Sequence, residues 1–231
     1  MARKAPTNSF ADSVEDASGV ERFAFERAWL TKGVQRIAGV DEAGRGPLAG
    51  PVVAGAVVFS PKCICDGLPP QWAGLNDSKQ LTRAQRERFF AWLISSPDVA
   101  HAIAIVDVDI IDGINILRAT HQAMNAALAQ LSPVPEHVLV DGLSVRSLRF
   151  PQTALVKGDA RSYSIAAASV LAKVTRDHLM LKYDRLYPDY GFAEHKGYGT
   201  ARHLAALANF GPCPIHRRSF APLRIQASEL F

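Results

Sequence analysis

Apolar residues along this chain fall into two patterns. Short runs rich in Val and Ala alternate with longer stretches in which apolar positions recur every three or four residues, and glycines and prolines stand between the two kinds. Residues 37–40 and 52–59 are runs of the first kind around a glycine-rich turn, which predicts two neighbouring strands. A mixed segment over 20–30 fits a helix, and 61–78, with its prolines and glycines, reads as a loop. Thr82 is placed to cap a helix reaching residue 94, followed by a third strand over 101–106 and a helix over 114–131. After the Pro133-Val-Pro135 break, His137-Val-Leu-Val-Asp141-Gly142 reads as a buried strand closed by a turn. An alanine-rich helix over 160–183 and a shorter one over 200–209 complete the pattern. Strands followed by helices, without repeat or linker, predict one α/β domain over 19–231, preceded by a polar tail over 1–18 expected to be mobile.

Composition narrows the classes. With 231 residues, 48% of them hydrophobic, the chain is long enough to bury one substantial core. No apolar stretch approaches the ~20 residues that cross a bilayer as a helix, and the Met-Ala-Arg-Lys start leads into no apolar export segment. The cysteines number three, and Cys63-x-Cys65 lacks the companions of a zinc site. A reduced compartment, cytoplasmic and away from membranes, is therefore expected. Nor does any heptad argue against a monomer. Charge is unevenly spread: residues 1–141 carry 13 Lys and Arg against 16 Asp and Glu, a net −3, whereas 142–231 carry 13 against 6, a net +7. Such a bias suits a surface that meets phosphates, and also many that never do.

The chemistry lies in misplaced acids. Asp41 closes an apolar strand and is followed by Glu42 and by Gly44-Arg45-Gly46-Pro47, a stretch able to turn sharply with its N–H groups outward. Asp141 closes a second apolar strand, and acids at neighbouring strand ends cluster naturally. On the long helix, Val170, Val174, Asp177 and Leu181 fall on one face, which sets Asp177 in an apolar stripe. Each acid has an ordinary alternative: Asp41 and Asp141 as turn residues, Asp177 paired with Arg176 or Lys173. Adjacent strand residues face opposite sides, so Asp41 and Glu42 share one site only if the strand bends or ends there. Converging carboxylates without histidine or thiolate are hard oxygen ligands, the set preferred by Mg²⁺ or Mn²⁺. Two such ions about 4 Å apart serve phosphodiester cleavage.

The run Ile37-Ala-Gly-Val-Asp-Glu-Ala-Gly-Arg-Gly-Pro-Leu-Ala-Gly-Pro-Val52 resembles the opening signature of the type 2 ribonucleases H, the bacterial ribonuclease HII form. Further matches follow in order: Asn76-Asp-Ser-Lys79, Val140-Asp-Gly142, Lys157-Gly-Asp159, Ala168 to Asp177, His195-Lys-Gly-Tyr-Gly-Thr200 and His216-Arg-Arg-Ser-Phe220. The resemblance covers roughly residues 35 to 222. It implies a ribonuclease H-like α/β fold, a mixed central sheet flanked by helices with a helical C-terminal part. It implies a two-metal endonuclease acting on RNA/DNA hybrids and on duplex DNA containing ribonucleotides, cutting 5′ of the ribonucleotide to leave 3′-hydroxyl and 5′-phosphate ends. By the same resemblance Asp41, Glu42, Asp141 and Asp177 match the catalytic, metal-binding carboxylates. Gly44, Arg45 and Gly46 match the segment whose backbone reads the ribose 2′-hydroxyl, and Tyr198 the tyrosine that packs on the adjoining sugar. Lys79, Lys157, Arg217 and Arg218 sit in matched motifs as candidates for phosphate contacts.

Several features stay outside that set. His195 and His216 lack a partner at ligand spacing and read as turn or phosphate-facing residues. Asp107, Asp109 and Asp112 lie between a strand and a helix, where aspartates cap. Gly199 stands where many relatives carry proline. Residues 226–231, Gln-Ala-Ser-Glu-Leu-Phe, faintly resemble peptides with which DNA enzymes dock on a sliding clamp, the alternative being a frayed end.

Overall fold

The structure is a computed structural model that describes residues 21–224, so the expected tail over 1–18 and the peptide over 226–231 lie outside the described residues. A five-stranded mixed sheet runs β3-β2-β1-β4-β5, with β1 (Ile37–Ala43), β2 (Val52–Phe59), β3 (Val99–Val106), β4 (His137–Asp141) and β5 (Gln152–Leu155). β1 pairs antiparallel with β2 and β2 with β3, whereas β1–β4 and β4–β5 are parallel. Two helices cover the two faces. The Ile116–Gln130 helix packs Ala119, Ala123, Met124 and Ala127 on Val40, Val138 and Val140. The long Tyr163–Leu186 helix lays Ala166, Ala167, Val170 and Leu171 over the opposite face.

That long helix lies unusually close to the sheet, and two glycines permit it. A Cβ at Gly39 would fall 2.1 Å from the Ser164 carbonyl carbon, and one at Gly55 would fall 2.5 Å from the Ala168 carbonyl oxygen. Gly55 is also the register partner of Asp41. The helix is thereby seated against the part of β1 that carries the acids.

Most predicted elements form. Thr82 caps the Arg83–Ser95 helix in a capping box with Gln85. The helix predicted over 114–131 is broken at Asn115, whose φ of 70° ends a short Val108–Ile114 helix and whose side chain caps the next one. The helix predicted over 160–183 begins as a single turn, Gly158–Arg161, before Ser162 caps the long segment. Elements not predicted include β5, the Pro61–Asp66 helix inside the expected loop, the Val108–Ile114 helix and the Phe192–His195 turn of helix. β5 alternates half-buried and buried residues over only four positions, too short for a period to show.

The expectation that the aspartates after β3 cap a helix is corrected. Asp107 sits at the N-cap but makes no side-chain cap bond. Asp112 accepts the backbone N–H groups of Arg218 (2.8 Å) and Ser219 (3.0 Å), and so ties the C-terminal segment to the body. Cys63, Cys65 and Cys213 are free.

Candidate active site

Parallel pairing of β1 with β4 aligns Val40 with Val140. The next residues, Asp41 within β1 and Asp141 at the end of β4, therefore lie side by side on strands about 4.8 Å apart. β1 continues through Glu42 and Ala43, which pair with Ala54 and Val53. Strand alternation then turns Asp41 toward the long-helix face and Glu42 toward the other. The two nonetheless line one cavity of about 320 Å³, together with Gly44, Arg45, Gly46, Ser78, Lys79, Lys173, Arg176 and Tyr198. Glu42 and Arg45 also line a second cavity, of about 500 Å³, which contains Asp141. Glu42 thus borders both sides of the strand end.

A fourth acid completes the cluster. The Gly158 N–H donates to Asp141 Oδ1 at 2.7 Å, drawing the turn after β5 against β4 and bringing Asp159 with it. A Cβ at Gly158 would lie 2.6 Å from Ile165 and 3.4 Å from that same oxygen, so the approach depends on glycine. Asp41 is 6% exposed, and its carboxyl is held well above the usual range by burial first, then by the charges of Glu42, Asp141 and Asp159. Asp159 is also raised, by burial and by Asp141 and Asp77. At Lys79, burial acts to lower the ammonium, but Asp77, Asp41, Asp159 and Asp141 outweigh it and hold it above its ordinary value.

Asp177, expected as the fourth carboxylate, is placed differently. It accepts from Lys173 Nζ at 2.7 Å and, unlike Asp159, is not among the charges that act on Asp41. The ordinary alternative for this acid, an ion pair with Lys173, is the arrangement found. Helical periodicity identified an acid in an apolar stripe but could not show that a lysine one turn earlier would satisfy it. Asp159 was within a recognised motif, Lys157-Gly-Asp159, and its signal was the glycine beside it.

Opposite the acids, the 44–50 loop is held by two buried arginines. Arg217, fully buried, donates Nε to the Gly50 carbonyl at 2.9 Å, Nη1 to that of Arg45 at 2.9 Å, and Nη2 to that of Gly44. Arg176, 2% exposed, donates to the carbonyls of Ala49, Pro51 and Lys196, each at 3.0 Å. Burial pushes the guanidinium of Arg217 down to about 9 and that of Arg176 down to about 10. Arg217 as a phosphate contact is therefore corrected: its donors are spent on backbone carbonyls inside the protein. Arg176, which the sequence reading offered only as a partner for Asp177, is its counterpart. Arg218 is exposed, as is Lys157, whose φ is 55°.

Tyr198 is 49% exposed, and its ring lies 3.6 Å from where a Gly46 Cβ would stand. Its backbone is fixed by three buried histidines; His195 and His216 hold local turns as expected, and their burial corrects only the phosphate-facing alternative. The Cys213 N–H donates to His216 Nδ1 (2.9 Å), so His216 carries its proton on Nε2. That Nε2 lies 2.9 Å from His203 Nε2, which must accept, leaving His203 Nδ1 to donate to the Tyr198 carbonyl at 2.9 Å. His195 Nδ1 accepts from the Gly197 N–H (3.1 Å), and its Nε2 donates to the Tyr190 carbonyl (2.8 Å). All three rings are satisfied as neutral imidazoles. Burial correspondingly pushes His216 down to about 4.

The acid side fits a hard divalent cation: its ligating groups are carboxylates, no histidine or cysteine lines the smaller cavity, and a buried acid among like charges is offset chiefly by Lys79. Among the described residues, no three His, Cys, Asp or Glu side chains are already gathered as a finished ion cage. The arrangement presents negative charge at one wall and a braced glycine loop with an exposed tyrosine at the other.

Comparison with known proteins bears on the family and the fold. A family model described as Ribonuclease HII matches residues 38–223. Relatives named Ribonuclease HII include one from Geobacillus thermodenitrificans, 55% identical, covering 88% of this chain and 75% of its own. Another, from Chlamydia trachomatis serovar A, is 49% identical over 90% of this chain and 93% of its own. The crystal structure of the ribonuclease H2 from Pyrococcus horikoshii OT3 superposes with a TM-score of 0.70 at 30% identity, covering 84% of this chain and 98% of that one.

Proposed function

The chain belongs to the ribonuclease HII family of nucleases, and from that premise we propose that it is an endonuclease that hydrolyses the RNA strand of RNA/DNA hybrids and cuts duplex DNA on the 5′ side of an embedded ribonucleotide, leaving 3′-hydroxyl and 5′-phosphate ends. The observation that carries this reading is the β1–β4 register, which sets Asp141 beside Asp41, itself in one cavity with Gly44–Gly46 and Tyr198. Asp41, Glu42, Asp141 and Asp159 are the residues that would hold two Mg²⁺ or Mn²⁺ ions, and such a pair supplies an activated water and neutralises the leaving 3′-oxygen.

The rest is the work of the protein's own groups. Buried Asp41 and half-buried Glu42 set the charge of the pocket, while the Gly158 N–H fixes the orientation of Asp141. The Gly44–Gly46 backbone is held rigid from behind by Arg217, so that the sugar next to the cut meets a preformed surface rather than a loop that must be ordered. The exposed Tyr198 ring, close to Gly46, supplies a flat face for an adjacent sugar. A ribose carries a 2′-hydroxyl there and a deoxyribose does not, which is the only chemical difference the site has to detect. Lys79, near the carboxylates, and the exposed Lys157 and Arg218 would meet flanking phosphates, a reading their charge and exposure support. A monomer in the cytoplasm is part of the same proposal; among the described residues, no helix is long and apolar enough to cross a membrane.

Two duplexes of one sequence, one all-DNA and one with a single ribonucleotide, test it in Mg²⁺ and in Mn²⁺. Cutting of the second alone, 5′ of the ribonucleotide, is expected. Equal cutting of both would mean a DNA nuclease on this scaffold, and no cutting in either metal would mean a binding protein without chemistry.

A further inference from the structure

Beyond the acids, the cavity that contains Asp141 adjoins a groove of about 1000 Å³ between the Ile116–Gln130 helix and the 142–150 loop. The two share Leu117, His121 and Arg146, and the smaller one shares Glu42 and Arg45 with the catalytic cavity, so the three adjoin one another through common walls. Arg118, Arg146 and Arg149 line the outer part, which has no acidic residue in its lining. Sequence composition accentuates this: neither 113–135 nor 142–158 contains an Asp or a Glu. All three arginines are exposed, and no ion pair takes up any of their guanidinium groups among the described residues.

The loop that carries two of them is not slack. Asn125 on the helix donates to the Ser147 carbonyl (3.1 Å) and accepts from the Arg149 N–H (3.1 Å), and Ser147 Oγ lies 3.0 Å from His121 Nδ1. Gln152 clamps Val145 from the other side, accepting its N–H at 2.8 Å and donating to its carbonyl at 2.9 Å. Such bracing fixes the backbone from which the guanidiniums project, and lowers the ordering cost of engaging a polyanion. Unpaired arginines on a braced surface, adjoining a phosphodiester-cutting site, are complementary to a row of backbone phosphates.

We propose that this groove binds the sugar–phosphate backbone of the substrate duplex on one flank of the cut, with Arg118, Arg146 and Arg149 as its phosphate contacts. This inference rests on the nuclease reading above and adds to it a site outside the motif set. It also assigns a place to part of the positive charge concentrated after residue 141.

The test compares the unsubstituted protein with R118Q/R146Q/R149Q, without divalent ions so that nothing is cut. Binding is measured to a long ribonucleotide-containing duplex and to two versions shortened on one flank or the other. Loss of about three phosphate contacts should lower the slope of log Kd against log salt by roughly 2 to 3 and weaken the long duplex by about tenfold or more. The defect should vanish on shortening one flank and persist on shortening the other. An unchanged affinity and slope, as for a groove built to take an acidic protein segment, would overturn the proposal. So would an equal loss with all three duplexes. Should the unsubstituted protein fail to cut ribonucleotide-containing duplex in Mg²⁺ or Mn²⁺, the function itself falls and the groove with it; an intact cut without the flank effect removes the groove alone.

Discussion

The two walls of the catalytic cavity are opposites in how they treat buried charge. On the arginine side, Arg176 and Arg217 donate to five backbone carbonyls besides that of Lys196, and three histidines are wired as neutral donors and acceptors. On the acid side, Asp41, Asp141 and Asp159 crowd one another with little but Lys79, an N–H from Gly158 and an N–H from Glu42 to offset them. One wall is complete within the protein; the other is incomplete until something positive arrives. The difference suggests that rigidity and reactivity have been separated, the first placed behind the glycine loop and the second at the strand ends.

The sharpest way to break this contrast is to neutralise the acid wall. D41N should abolish cutting by at least about 10³-fold, the upper end of what one charge-stabilising group supplies. Because it also removes an unfavourable buried charge, its melting temperature without divalent ions should equal or exceed that of the unsubstituted protein. A lower melting temperature would show that Asp41 supports the fold.

Breaking the other wall should do the reverse. R217M leaves the Gly44, Arg45 and Gly50 carbonyls short of donors, and is expected to cost about 3–5 kcal/mol in chemical denaturation, the range for removing one partner of a buried charged network. A loss below about 1 kcal/mol would mean that the loop is held by other means.

A pair of smaller substitutions separates the two candidates for the fourth acid. D159N should lower the cutting rate by about 10²-fold, whereas D177N, which only frees Lys173 from an ion pair, should stay within about threefold. The opposite ranking would restore Asp177 to the site.

The mildest handle is pH, and here the walls have opposite signs. His216, and likewise His137 elsewhere in the core, are held at about 4 against an ordinary 6.5, so below about 6.5 the unfolded chain takes up protons that the folded one refuses. Their contribution to stability is complete above 6.5 and is lost as the pH falls toward 4. The raised carboxyls of Asp41 and Asp159 act the other way, since protonation relieves their crowding as the pH falls. Melting temperatures taken from pH 8 to 4 should therefore decline more steeply in D41N, where part of the opposing contribution is gone, than in the unsubstituted protein. Parallel curves would deny the opposition.

What the sequence determined by itself was local. Capping at Thr82, the apolar runs of β1, β2 and β4, and the placement of Asp141 at a strand end follow from neighbours a few residues away, whereas β1 runs two residues past Asp41; the ordered motifs carried the family resemblance. Only the tertiary structure decided which acids meet. The β1–β4 register joins residues 100 positions apart and the close approach at Gly158 joins residues 17 apart, and no periodicity encodes either. Asp177 and Arg217 both sat in the right motifs, yet one is satisfied by a lysine a turn away and the other is buried under a loop 167 to 173 residues distant in sequence. The Lys173–Asp177 pair was one of the alternatives its own helix offered, and the fold selected it; the burial of Arg217 is a property of the folded surroundings that its own segment does not contain.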